Sequence, residues 1–275
     1  MSRGTDSLED DAGENGPGRE RRGIQSIETG SRLLLALSDS PTAMTLSELA
    51  RAIGIAPTKA YPYLVSLAKH DFVAQHPQTG RYDLGAAALQ IGLSSMRRLD
   101  PIKIGIEEIA ALAAETPHAI ALAVWGNLGP TIVHFEEARV PLYVYLKPGT
   151  VMSLLYTATG KAFAAYMPAK AVETLMRGDG FRWGAHMAET NPLSRDEVET
   201  TLSEVRRHGL AQELRLVPGV KGLSAPAFNH RGHVVLAVTL TGSAADFDSD
   251  VDGPAAQALL AAAGRISTRL GYQGA

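Results

Sequence analysis

The chain has 275 residues, long for one ordinary domain and short for three, so two domains with connectors are expected. Its 45% hydrophobic and 20% charged residues exclude wholesale disorder, and the absence of cysteine excludes disulfides, thiolate metal sites and cysteine nucleophiles. A net charge of −3 argues against a surface built as a whole to bind a polyanion.

No apolar run approaches the roughly 20 residues of a membrane span. The first residues also lack the apolar core of a secretory signal, so a cytoplasmic location is expected. Residues 1–23 are polar, charged and Gly-rich, and their composition cannot repay the entropy of ordering, which predicts a disordered tail. Arg19, Arg21 and Arg22 in it read either as phosphate contacts or as a solvated charge cluster.

From Ile27, the positions Ile27, Leu33, Leu34 and Leu37 share one helical face, and Ser38 to Pro41 break the helix. Thr45 and Glu48 then have capping-box spacing, ahead of an apolar stripe through Leu46, Leu49, Ala50 and Ile53. Gly54 supplies a left-handed stop and Pro57 a first helical position, so a second helix follows after a tight turn and runs to about His70. Such a second helix enters a DNA major groove with its N-terminal residues, here Pro57, Thr58, Lys59 and Tyr61. Pro62 lies inside it and removes a backbone donor at a cost of about 3 kcal/mol in a straight helix, so a kink or restart near Tyr61 is expected.

Phe72 to Gln75 and Arg81 to Leu84 read as short strands around the turn His76 to Gly80. Three helices and a hairpin make a winged helix-turn-helix over residues 24–84. Arg81, beside the turn, is either a phosphate contact or a solvated hairpin residue. Charge does not support the DNA reading: Arg32, Arg51, Lys59, Lys69 and Arg81 are cancelled by Glu28, Asp39, Glu48, Asp71 and Asp83. Residues 85–100 form a connector helix with Ala88, Leu89, Leu93 and Met96 on one stripe, a face for a dimer or for packing within the chain.

Residues 101–275 alternate element types. Helices are expected at Ile102 to Glu115, Gly160 to Tyr166, Ala169 to Met176, Ser194 to His208 and Asp252 to Leu270. Strands are expected at Ala119 to Trp125, Thr131 to Glu137, Pro141 to Lys147, Leu223 to Asn229 and His233 to Thr241. Helices flanking a mainly antiparallel sheet make this an α+β domain.

Most recognisable chemistry fails on spacing. Gly160-Lys161 lacks the earlier glycine and the hydroxyl residue of a phosphate loop, and Asp248 to Gly253 is followed by Leu259 where a calcium loop needs glutamate. Gly178, Gly180 and Gly184 miss the dinucleotide spacing by one residue. His230 and His233 could share a metal but lack a nearby third ligand, and no nucleophile, base and orienting acid can be assembled. Catalytic residues, metal and cofactor are therefore all expected to be absent.

The stretches TLSELARAIGIAP, YLVSL, TGRYDLG, LGPTIVHFEE, ATGKA and SAPAF, in this order, resemble IclR-type bacterial transcriptional regulators over roughly Ile24 to Leu270. The resemblance implies a homodimer or dimer of dimers, a winged helix-turn-helix that binds double-stranded operator DNA, and a C-terminal GAF-like domain that binds a small, usually acidic effector. With Thr45, Pro57 and Arg81 from the pattern, it places the DNA contacts at Thr58, Lys59, Tyr61 and Tyr63. It places the effector cleft at Leu154, Thr157, Ala158, Gly160, Glu213, Gly222, Thr239 and Thr241.

Three positions depart from the pattern: Pro62 stands where an arginine is usual, Gly222 where a cysteine or small residue is common, and Leu214 follows Glu213 where an acidic pair is common. Read without the family, Gly160 can present N–H groups to a carboxylate and the threonines can donate hydroxyls, or they are ordinary helix caps and strand residues. Two functions follow: a ligand-responsive transcriptional regulator whose effector is a carboxylic or aromatic acid, or a small-molecule-binding protein or enzyme with a decayed DNA-binding module.

Overall fold

The computed structural model of the chain describes residues 23–140, 142, 144, 146–176, 183, 184, 186 and 192–274. Residues 1–22, which hold nearly all of the expected disordered tail, lie outside these, as do Gly178 and Gly180. The chain divides into two compact units between Arg98 and Leu99.

The first unit contains α1 (Gln25–Asp39), α2 (Leu46–Ala52), α3 (Pro57–Lys69), β1 (Val73–Gln75), β2 (Tyr82–Leu84) and α4 (Ala86–Arg98). Its start signals act as local chemistry requires. The Thr45 hydroxyl accepts the Glu48 N–H at 3.3 Å, and the Glu48 carboxylate accepts the Thr45 N–H at 2.7 Å, so two orphan donors of α2 are satisfied reciprocally. Gly54 has φ +70°, which a side chain would strain, and lets the Ile55 N–H reach the Ala50 carbonyl at 2.9 Å. Pro57 then begins α3.

Leu33, Leu37, Leu49, Ala50, Ala60, Leu64, Val73 and Tyr82 close the core. Ile27 does not join them; it is exposed, and the buried stripe of α1 begins at Gly30. The wing pairs Val73 with Leu84 and Gln75 with Tyr82, and Met44 bonds Tyr82 in both directions at 2.9 and 2.7 Å, tying the wing to the start of α2.

The restart expected near Tyr61 does not occur: α3 runs from Pro57 to Lys69 as one helix through Pro62. Thr58, whose carbonyl loses its partner, and Pro62 are both exposed, so solvent can take the missing bond. Meanwhile the burial of Ala60 and Leu64 holds the turns on either side of the proline against the core. The 3 kcal/mol figure assumes an interior helix with nothing to compensate it.

The second unit contains α5 (Pro101–Glu115), β3 (Ala119–Gly126), β4 (Gly129–Glu136), α6 (Ala158–Ala164), α7 (Ala169–Met176), α8 (Arg195–His208), β5 (Ala211–Glu213), β6 (Val220–Phe228), β7 (Val234–Ser243) and α9 (Pro254–Arg269). The five strands form one antiparallel sheet in the order β4-β3-β7-β6-β5, which makes the unit α+β as expected. The Asp100 carboxylate caps α5, and Ser194 with Glu197 forms a second capping box at α8.

Two strand readings need correction. None of Leu142, Val144, Leu146 and Lys147 belongs to a strand, and the rest of that expected strand, Pro141, Tyr143 and Tyr145, lies outside the described residues. Conversely β5 was not expected, since three residues are too few to show an alternating pattern.

Alternation along the strands sorts the sheet into two unlike faces. Ile120, Leu122, Leu223, Leu236, Val238 and Leu240 belong to the core cluster that includes Ile109 and Leu112 of α5 and Leu259 and Ile266 of α9. The opposite face carries Ala121, Ala123, Gly222, Ser224, Ala237, Thr239 and Thr241, all small or hydroxylated. Large aliphatics on one face fill it; small residues on the other leave space beneath α6.

Candidate functional site

On the first unit, α3 presents Pro57, Thr58, Lys59 and Tyr61 outward, with Tyr61 53% exposed. Tyr63 is different: it is partly buried against the core, so it supports the helix from behind. Thr45 is occupied by its cap. Arg81 is committed in part, since its Nη1 donates to the Ala43 carbonyl at 2.8 Å and to the Glu48 carboxylate at 3.2 Å. Nε and Nη2 have no partner among the described residues. Arg81 thus pins the wing to the capping box of α2. The Thr45 N–H and hydroxyl, aided by Arg81, hold the Glu48 carboxyl below its ordinary pKa.

Replacing Thr45 by alanine removes one half of this box and loosens the seat of Arg81. Thermal unfolding of Thr45→Ala should show a loss of about 1 kcal/mol; an unchanged midpoint would mean that the cap contributes nothing.

On the second unit, the space beneath α6 is a small cavity of about 50 Å³ that opens to solvent. Six of the eight residues that the resemblance assigns to a cleft border it: Thr157, Ala158, Glu213, Gly222, Thr239 and Thr241. Its other walls are mostly apolar, from Val144, Leu146, Met152, Trp183, Leu216 and Val217. Sequence reasoning missed these because most belong to irregular segments, where periodicity carries no signal. Lys221 also borders the cavity, but it shares strand parity with Leu223, which belongs to the other face of the sheet.

Leu154 and Gly160 do not line the cavity. Leu154 is fully buried in the core beneath it. The Gly160 N–H is taken by the Thr157 hydroxyl at 2.9 Å, as the cap of α6, so it is not available to a carboxylate. A Cβ on Gly160 would lie 1.9 Å from the Ser153 carbonyl oxygen and 2.7 Å from the Leu154 Cα. The glycine is there for close backbone approach.

The polar groups of the cavity are largely paired among themselves. Thr159 and Thr239 share a hydrogen bond of 2.8 Å, and Thr239 donates to Ser224 at 2.9 Å, all three being buried. Glu213 accepts Lys161 Nζ at 2.5 Å on one oxygen; its other oxygen accepts the N–H groups of Leu214, Arg215 and Leu216 at 2.8 to 3.1 Å. Burial pushes the Glu213 pKa up, but the Lys161 charge and these donors outweigh it, and the carboxyl is held below the ordinary range. Hydroxyls in an apolar surround, with one cation already matched to one anion, suit a small and mostly apolar ligand.

Among the described residues no three His, Asp or Glu side chains gather as metal ligands, and no helix is long and apolar enough to cross a membrane. His230 and His233 flank a turn held by Asn229, whose side-chain oxygen accepts the N–H groups of Arg231 and His233.

Comparison with known proteins places both units. Residues 26–77 match the IclR helix-turn-helix domain, and residues 95–268 match the bacterial transcriptional regulator IclR C-terminal domain. The glycerol operon regulatory protein of Streptomyces griseus is 31% identical over 222 residues, which cover 80% of this chain and 85% of that protein. The transcriptional repressor IclR of Escherichia coli is 21% identical over 222 residues, 80% of each chain. Among solved structures, Pseudomonas aeruginosa HmgR superposes with a TM-score of 0.83 at 35% identity, over 92% of this chain and all of that one. The repressor BlcR of Agrobacterium tumefaciens, at 17% identity and a TM-score of 0.76 over 91% of this chain and 99% of that one, shares the fold. The chain belongs to the IclR family of bacterial transcriptional regulators, with a helix-turn-helix DNA-binding domain and a C-terminal effector-binding domain.

Proposed function

We propose that this regulator binds an operator through the outward face of α3 and is controlled by a small, largely apolar carboxylic or aromatic acid held in the cavity beneath α6. It acts in the cytoplasm as a homodimer or dimer of dimers and catalyses no reaction. The observation that carries the reading is the contrast between the two faces of the sheet: small and hydroxylated residues from β6 and β7 border a cavity at positions where the resemblance puts the effector cleft.

Domain limits at 24–84, 85–100 and 101–275 fit this division of labour. The connector helix α4 has no buried residue, and its Leu89, Leu93 and Met96, on one face, are 64%, 44% and 42% exposed, so an apolar stripe waits for a second copy. An effector that binds one dimer arrangement more tightly than another shifts the population, and with it the spacing of the two α3 helices. The continuity of α3 through Pro62 favours a working DNA-binding module over a decayed one.

Candidate DNA contacts are Thr58, Lys59 and Tyr61, with Pro57 at the helix start and Arg81 on the wing offering Nε and Nη2 to phosphate. Lys59→Ala should weaken retention of DNA from the protein's own promoter region and reduce the slope of log affinity against log salt by about one. Weak, sequence-independent retention by the unaltered protein would overturn the regulator reading. An unchanged slope in the variant would remove Lys59 from the interface.

A further inference from the structure

The outward stripe of α3 is unusual for a surface that must discriminate bases. Opposite the buried Ala60 and Leu64, one helical line carries Thr58, Pro62, Val65 and Lys69, at spacings of four, three and four residues. Pro62 is exposed and Val65 is 37% exposed. Neither side chain has a donor or an acceptor, and Pro62 lacks even a backbone N–H. Tyr61 flanks the line on one side and Lys59 and Ser66 on the other; all are exposed.

A helix that presents apolar carbon at the middle of its groove-facing side cannot read a base pair there by hydrogen bonds. The one feature of the major groove that such a surface distinguishes is the C5 methyl of thymine, since the other base-edge features are donors and acceptors. Lys59 and Lys69 at the margins suit the flanking phosphates, which argues for duplex DNA on this stripe and not for a protein partner.

We propose that Pro62 and Val65 form a methyl-reading surface, and that each operator half-site places thymine against it. This inference rests on the regulator reading and names the base chemistry that the α3 face selects. Pro62 is then a specificity-determining residue, because the side chain that cannot donate is the one that contacts the methyl. Thr58 adds a methyl and a hydroxyl at the upper end of the same line.

Full-length protein would be used to enrich duplexes from a random pool, and the enriched duplex resynthesised with deoxyuridine in place of thymidine, one position at a time. Removing a contacted methyl should weaken binding about fourfold, the effect of one buried methyl-sized group, and the penalties should compound over two half-sites. Pro62→Ala and Val65→Ala alter exposed side chains and should fold. Each should bring its own thymine-to-uracil affinity ratio toward one while leaving the ratio at the other position in place. Tolerance of uracil at every position, or an equal penalty in the variants and the unaltered protein, overturns the proposal and leaves the regulator reading intact. Failure to enrich any sequence overturns the regulator reading, and the methyl-reading proposal with it.

Discussion

Gly160→Ala should destabilise the C-terminal unit by about 3 kcal/mol or more, although alanine is the better helix former by about 1 kcal/mol. The added Cβ would sit 1.9 Å from the Ser153 carbonyl oxygen and 2.7 Å from both the Leu154 Cα and the Leu154 carbonyl oxygen. These are backbone atoms and cannot rotate away, so α6 would have to lift from the segment that precedes it. That segment includes Leu154, fully buried, and the Ser153 carbonyl that accepts the Thr157 hydroxyl at 2.7 Å. Lifting α6 therefore disturbs core and cap together. Thermal unfolding of the full chain measures it, with Gly264→Ala in α9 as the control, because a Cβ there meets nothing within 4 Å and should be neutral or stabilising. Equal midpoints for the two variants would show that α6 has room to move, and Gly160 would return to the list of cleft residues.

Gly160 also illustrates what a sequence can and cannot display. Its importance was legible, but the reason was not: the crowding comes from Ser153 and Leu154, and a spacing pattern does not show how closely two stretches of backbone approach. The first unit was more transparent because its signals are local. Thr45 with Glu48, then Gly54 and Pro57, lie within thirteen residues and determine the turn by short-range hydrogen bonds. Pro62 shows the limit of local reasoning, since the exposure of Thr58 and the burial of Ala60 and Leu64 decided its effect. In the second unit, Thr159 meets Thr239 across 80 positions of sequence and Thr239 meets Ser224 across 15, and the cavity is bordered by small and hydroxylated residues of β6 and β7 that fall on one face. The apolar walls from Val144, Leu146 and Leu216 are supplied by segments without regular structure, which pattern reading passes over.

Lys161→Met is the other substitution expected to have a large effect, and its pH dependence identifies the cause. Lys161 and Glu213 retain only 13% and 17% of their side-chain exposure, and their ion pair spans 2.5 Å. Removing the ammonium leaves a carboxylate that burial penalises, but that still accepts three backbone N–H groups, so a loss of about 2 to 3 kcal/mol at neutral pH is expected, at the low end for a broken buried pair. The folded-state pKa of Glu213 is depressed. Its stabilisation is therefore complete above the unfolded carboxylate value of about 4.3 and is withdrawn as pH falls through the lower folded value. The stability gap between the unaltered protein and Lys161→Met should be widest near neutrality and should close as pH falls through the depressed folded value of Glu213, where the carboxyl becomes protonated and the lysine has no anion to hold. A gap of constant size across this range would assign the effect to the packing of the lysine stem. The same pair bears on the ligand. Lys161 is the cation matched to the cavity's anion, so an acidic effector must compete with Glu213 for it, and Glu213→Gln should tighten the binding of a probe such as benzoate several-fold while Lys161→Met weakens it. If both variants bind benzoate as the unaltered protein does, the acid is held by the threonine hydroxyls alone.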